Sequence, residues 1–263
     1  MKATVKTPLF AACVLSLGIV VSSCSPTTFE DKVDWGKTAI SSHLDLTDEQ
    51  EPALEEIATT IKINYPDFKN FRNDFQTTLK EELQQEDFNV ARVNAKVLEL
   101  KGKVLTVGEE IIGEFAALHQ TLSPEQRATI NDRANHKGER SGYDYHKRWG
   151  ERSEHQGQHQ DFDLQPHQAE ALKKLVAGIA VDSVDWMMAK NQLKKVVRAE
   201  LASDQFNAEL VREEFKRNVN LVFASAERHL PKFAELHSLF EARQRGILVS
   251  LVDRWIERSN QED

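Results

Sequence analysis

The side chains in this sequence with the plainest chemical potential are histidines. His155 and His159 stand four apart, a spacing that would set both imidazoles on one side of a helical turn and let them hold Zn²⁺ or Cu²⁺. His136, His146 or His167 would complete the set. The segment around them, EHQGQHQ, has a central glycine and no cysteine, so the competing reading is a polar linker with no metal. Carboxylates are abundant, and pairs such as Glu109 and Glu110 read most simply as solvent-facing. No Gly-rich phosphate loop, HExxH, GxSxG or free thiol nucleophile is present, which argues against an enzyme and against a bound cofactor.

The two cysteines point to a compartment. MKATVKTPLFAACVLSLGIVVSSC carries Lys2 and Lys6, an apolar run from Leu9 to Val21 and a small-residue end, the pattern of a secretory signal over residues 1–23 that is too short for a stable span. Val21, Ser22, Ser23 and Cys24 resemble a bacterial lipobox. That resemblance implies cleavage before Cys24, lipidation of its thiol and stable membrane anchoring. Ser25 after the cysteine implies, in Gram-negative lipoproteins, the periplasmic side of the outer membrane. The alternative is an ordinary signal with an incidental cysteine. Cys13 would leave with the signal, so the mature fold has no disulfide and rests on packing. Loss of Lys2 and Lys6 leaves 32 basic against 42 acidic residues, a net of about −10 compared with −8 for the whole chain. So acidic a chain is a poor nucleic-acid partner.

The elements that would position any site begin with two similar boxes, LTDEQ at Leu46 to Gln50 and LSPEQ at Leu122 to Gln126. Thr47 or Ser123 followed three residues later by Gln50 or Gln126 is a capping box, with the hydroxyl accepting from the glutamine amide N–H and the glutamine side chain reaching back. Pro124 suits a first helical position, and Asp48, Glu49 and Glu125 place negative charge at a positive helix end. Sliding the chain by 118 positions aligns HLDLTDEQEPAL with DFDLQPHQAEAL, KEELQQEDFN with RAELASDQFN, and EFAALHQTLSPEQR with KFAELHSLFEARQR. Leu46 then meets Leu164, Gln50 meets Gln168, Phe88 meets Phe206, His119 meets His237 and Gln126 meets Gln244, with no gap. An internal duplication follows, with units at 44–135 and 162–258.

Each unit reads as helices. Phe68, Phe71, Phe75, Leu79 and Leu83 recur at three or four, as do Trp186, Ala189, Leu193, Val197 and Leu201. After a break at 87–89, Val90, Val93, Val97, Leu100, Val104, Val107, Ile111, Phe115 and Leu118 form a near-heptad seam. The matching seam of the second unit holds Asn218, Ser225 and His229, which predicts a wetter or bent helix. A last helix is expected from Ser123 in the first unit, and to run unbroken through Arg243 in the second. Residues 24–43 read as an anchor and tether, 136–161 as a Gly- and His-rich linker, and 259–263 as a tail. Strand signals are scarce, so the class is all-α.

A secreted chain of amphipathic helices with one LTxxQ box near its start and another before a last helix resembles the Spy/CpxP family of bacterial periplasmic proteins. In the second unit LQPHQ keeps Leu164 and Gln168 but has Gln165 for the hydroxyl, and FEARQ keeps Gln244 with Phe240 for the leucine. The resemblance implies a helical cradle, usually of two antiparallel chains, that holds unfolding proteins on a concave face without ATP. Duplication would supply both halves in one chain, so a monomer with an internal pseudo-dimer is expected rather than a homodimer. A linker of this length reaches on the order of 25 to 30 Å.

A holdase needs apolar contact, flanking charge and weak net affinity. The candidates for client contact are Trp186, Met187 and Met188, beside Lys190, Lys194, Lys195 and Arg198, and Tyr65, Phe68 and Phe71 among Lys62, Lys69 and Arg72. Each aromatic has a competing place in the core, and His119 and His237 read as capping or packing a helix end. Two other functions stay open: an envelope-stress or metal-responsive regulator that binds a sensor kinase, and a structural lipoprotein with one fixed partner.

Overall fold

The structure, a computed structural model, describes residues 28–130 and 163–261. Among the described residues seven helices form: α1 Phe29–Leu44, α2 Glu51–Gln84, α3 Val90–Thr121, α4 over residues 124–130, α5 Pro166–Ala202, α6 Ala208–Ser238 and α7 Ala242–Gln261. No strand occurs among the described residues, and the class is all-α as the periodicity implied.

Three local differences from the expected elements have local causes. Residues 29–44, read as tether, are helical because Thr28 and Asp31 make their own capping box: the Asp31 N–H donates to Thr28 Oγ1 at 3.1 Å and the Thr28 N–H to Asp31 Oδ2 at 3.3 Å. At LTDEQ the hydroxyl half of the box is not made as expected. The Gln50 N–H donates to the Thr47 carbonyl at 2.9 Å, closing a turn, so α2 opens at Glu51. The last segment does not run unbroken through Arg243 either. The chain leaves α6 after Ser238 and restarts at Ala242, because the Gln244 side chain takes the Glu241 N–H at 2.9 Å and caps a new helix.

The described residues divide into two compact units that do not follow the two sequence units. One holds 28–62, 107–130 and 192–214. In it α1 runs antiparallel along the start of α2, with Ser41 Oγ donating to Glu51 at 2.8 Å, Lys37 paired with Glu55, and Lys62 with Asp34 at 2.6 Å. Leu54, Ile57, Ala58, Ile61, Val107, Ile111, Leu118, Leu122 and Val211 are buried there.

The other unit holds 63–106, 163–191 and 215–261. Two clusters contribute to its core among the described residues. Leu83, Phe88 and Val93 pack with Phe75, Leu79, Phe233, Leu248 and Val252. Leu175, Leu236 and Phe240 pack with Leu164, Leu172 and Leu248. The polar residues of the α6 seam bond to α5 instead of water: Asn218 Nδ2 donates to the Ala189 carbonyl at 3.0 Å, and His229 Nε2 meets Asp182 Oδ2 at 2.9 Å. Hydrogen bonds from Ser225 and His229, with the Arg228 charge, hold the Asp182 carboxyl below its usual range.

Each compact unit is thus composite. The segment 192–214, around the α5–α6 turn, belongs with the ends of α1 to α4, and the segment 63–106, around the α2–α3 turn, belongs with α5 to α7.

Candidate functional site

Four glutamines share one geometry. Gln50, Gln126, Gln168 and Gln244 each turn the side-chain Oε1 back to accept the backbone N–H three residues earlier, at 3.0, 2.8, 2.8 and 2.9 Å. Only Ser123 adds the hydroxyl half, accepting the Gln126 N–H at 3.2 Å. The glutamines also meet in pairs. Gln50 and Gln126 exchange two amide bonds of 2.9 Å, and Gln168 and Gln244 do the same.

The remaining amide N–H groups reach carbonyls at helix ends. Gln50 Nε2 donates to Thr121 O at 2.5 Å and Gln168 Nε2 to Leu239 O at 2.6 Å. Gln126 Nε2 donates to Leu44 O at 3.1 Å and Gln244 Nε2 to Asp163 O at 2.7 Å. Each clasp ties the start of a long helix to the start of the unit's last helix. A buried amide without partners costs a few kcal/mol, and in the second pair Gln168 is 1 % exposed. The glutamine is therefore the structural letter of the motif. The leading position fills the space beneath, with Leu122 and Phe240 buried at equivalent places.

A second set of matched bonds joins the turns to the ends of α3 and α6. His119 Nε2 lies 3.3 Å from the Leu201 carbonyl, with its ring 5.5 Å from that of Phe206. His237 Nε2 lies 3.2 Å from the Leu83 carbonyl, with its ring 5.5 Å from Phe88. A carbonyl only accepts, so each Nε2 carries a proton in this contact. Burial pushes both pKa values down, against the opposing pull of the carbonyl. Both Nδ1 atoms are buried with no partner among the described residues. The turns themselves are built alike: Asn89 and Asn207 cap α3 and α6 at 3.1 Å, and Glu82 and Glu200 accept their N–H groups at 2.9 and 2.8 Å. The expected capping and packing role of the two histidines understated them. Each receives the turn that lies 118 positions from its own.

The candidate contact residues separate by burial. Phe71 is buried beside Phe75, their ring centres 6.3 Å apart, so it is core and not contact surface. Tyr65, Phe68 and Trp186 are half-buried, and Lys190 lies 5.0 Å over the Trp186 ring. Met187 and Met188 are exposed, and they continue an exposed apolar surface on α5 made by Val176, Ile179, Val181 and Val184. These four were missed in the sequence. The signal was there in LVAGIAVDSVDWMM, where apolar residues fall on both sides of one helix.

Cys24, His136, His146, His155 and His159 lie outside the described residues, and His167 is exposed on the first turn of α5. Among the described residues no group of three His, Cys, Asp or Glu is placed to hold a metal. No described helix is long and apolar enough to cross a membrane.

Long helical hairpins, closed at their ends by paired glutamines, define an all-α helical protein. Residues 32–134 match the family described as LTXXQ motif family protein, a family of the Spy/CpxP type. Comparison with curated proteins and with solved structures returns no match.

Proposed function

We propose that this chain is an ATP-independent holdase of the bacterial envelope, anchored through a lipidated Cys24 on the periplasmic side of the outer membrane, and not an enzyme. The observation that carries the reading is the exposed apolar surface of α5 from Val176 to Met188, in a chain that elsewhere buries its long apolar stripes. Such a surface marks a place for a partner, and the thioethers of Met187 and Met188 adapt to varied shapes. The match of residues 32–134 to a Spy/CpxP-type family supports an envelope setting. The exchange of turns between the two sets of helices supports an internal pseudo-dimer, with both halves of a cradle in one polypeptide.

The test follows light scattering of a chemically denatured, aggregating protein to which the purified chain is added without nucleotide. Suppression at near-stoichiometric amounts is expected, and Met187→Glu with Met188→Glu should weaken it. Unchanged scattering across several clients would sink the holdase and leave the α5 surface to one dedicated partner.

A further inference from the structure

Residues 51–62 of α2 and 169–180 of α5 hold equivalent positions at the 118-residue offset, and different things lie on them. On α2, Glu51, Glu55, Ala58 and Lys62 fall on one stripe, and α1 covers it through Ser41, Lys37 and Asp34. Ala58 is 3 % exposed and Ile61 6 %. Their counterparts on α5, Val176 and Ile179, are 55 % and 43 % exposed. The same face that a helix occupies in the first case carries no helix among the described residues in the second, and it is more apolar.

We infer that this α5 face, centred on Val176, Ile179 and Val184, is a docking surface for an acidic amphipathic helix of another protein. This rests on the proposed function's premise that partners bind the α5 surface, and it names their chemistry. The occupant is a helix because the equivalent face takes one, the 16-residue α1. The bare stretch from Val176 to Met188 runs roughly 18 Å, the length of a three-turn helix.

The occupant is acidic because one charge of the stripe is reversed on α5 and the other is lost. Glu55, which meets Lys37 on α1, becomes Lys173, and Lys62, which meets Asp34, becomes Ala180. The α1 helix of a second copy would set Lys37 against Lys173 and leave Asp34 without its lysine. Two α5 faces stacked antiparallel would bring Lys173 towards Lys190, like against like, while Lys174 pairs with Glu170 at 3.7 Å. The residues before α5, HKRWGERSEHQGQHQ, lack the apolar repeat of α1. A partner with carboxylates where α1 carries Lys37 satisfies the face on both counts.

The probe is a labelled peptide of the length of α1, with leucines along one helical face and flanking glutamates, compared with its lysine twin and a proline-broken twin. Binding to the full chain in detergent is read by fluorescence anisotropy. The glutamate peptide should bind about tenfold tighter than the lysine twin. Val176→Asp should cost about tenfold, and Lys173→Glu with Lys174→Glu should reverse the preference. All three positions are exposed, so the fold is retained.

Equal binding of the three peptides overturns the inference, as does binding that appears only after residues 131–162 are replaced by a flexible linker, which gives the face to that segment. A monomer–dimer equilibrium abolished by Val176→Asp gives the face to a second copy and also overturns it. Scattering measured in parallel separates the two ideas. Suppression without peptide preference leaves the holdase standing and removes the acidic helix, and preference without suppression does the reverse.

Discussion

The two glutamine clasps make the same bonds from unequal motifs. Gln50 and Gln126 sit in LTDEQ and LSPEQ, with a hydroxyl in each; Gln168 and Gln244 sit in LQPHQ and FEARQ, with none. Both pairs nonetheless exchange two 2.9 Å amide bonds and cap the same backbone groups. The difference is burial: Gln168 and Gln244 are both buried, whereas Gln126 is half-buried. The comparison teaches that the hydroxyl is an accessory and the glutamine the constraint. A primary amide is the one neutral side chain that can accept from a cap N–H and a partner while donating to a partner and a carbonyl.

The largest break in that comparison should come from Gln168→Ala. It strands the buried Gln244 amide and removes the bonds to the Leu239 carbonyl and the Gln165 N–H, at a cost of about 2 to 4 kcal/mol in urea unfolding. Gln50→Ala should cost about half as much, because water can reach Gln126. An equal or larger loss at Gln50 would show that burial does not rank the clasps.

Acidification comes next and should act on both sets of helices together. His119 and His237 are held neutral in the fold with pKa values below the ordinary one. Well above the ordinary value of about 6.5 neither folded nor unfolded imidazole binds a proton and stability is full. Below it the unfolded chain takes up protons that the fold refuses, so stability falls as pH drops towards the folded value, by up to about 1.4 kcal/mol per imidazole per pH unit. Urea midpoints at several pH values would trace this. The double variant His119→Phe, His237→Phe should flatten that slope, and a slope unchanged by it would place the acid sensitivity elsewhere.

The smallest effects belong to the caps. Ser123→Ala should cost about 1 kcal/mol, since its Oγ accepts the Gln126 N–H. Gln165→Ser, which installs the missing hydroxyl ahead of Gln168, should stabilise by at most about 1 kcal/mol. Thermal denaturation of the two variants resolves both signs.

Much of this was legible in the letters. The 3.6-residue periodicity located α2, α3, α5 and α6, and the breaks before Asn89 and Asn207 stood at their turns, because a stripe of apolar residues has only one way to leave water on a helix. The glutamine recurrence marked three helix starts, at Gln50, Gln126 and Gln168, while the start capped by Gln244 reads as helix interior. What it did not disclose is that the glutamines pair, since residues 76 positions apart carry no local signature of contact. The covering helix α1 was missed though Thr28 and Asp31 signalled its cap. Phe71 and Met188 looked equally available as apolar letters on helices, and only their neighbours separate a buried ring from an exposed thioether.

The amino-acid sequence by itself determined that this chain is helical, where most of its long helices start and that its pattern returns after 118 residues, because those properties rest on local hydrogen bonding and on periodic burial. The tertiary structure decided which surfaces those helices use. It gave the Leu201 carbonyl to His119 and the Leu83 carbonyl to His237, laid α1 on one stripe and left its counterpart on α5 exposed. Those outcomes depend on contacts between residues far apart in the chain, where shape and charge between partners, and not local propensity, choose the pairing.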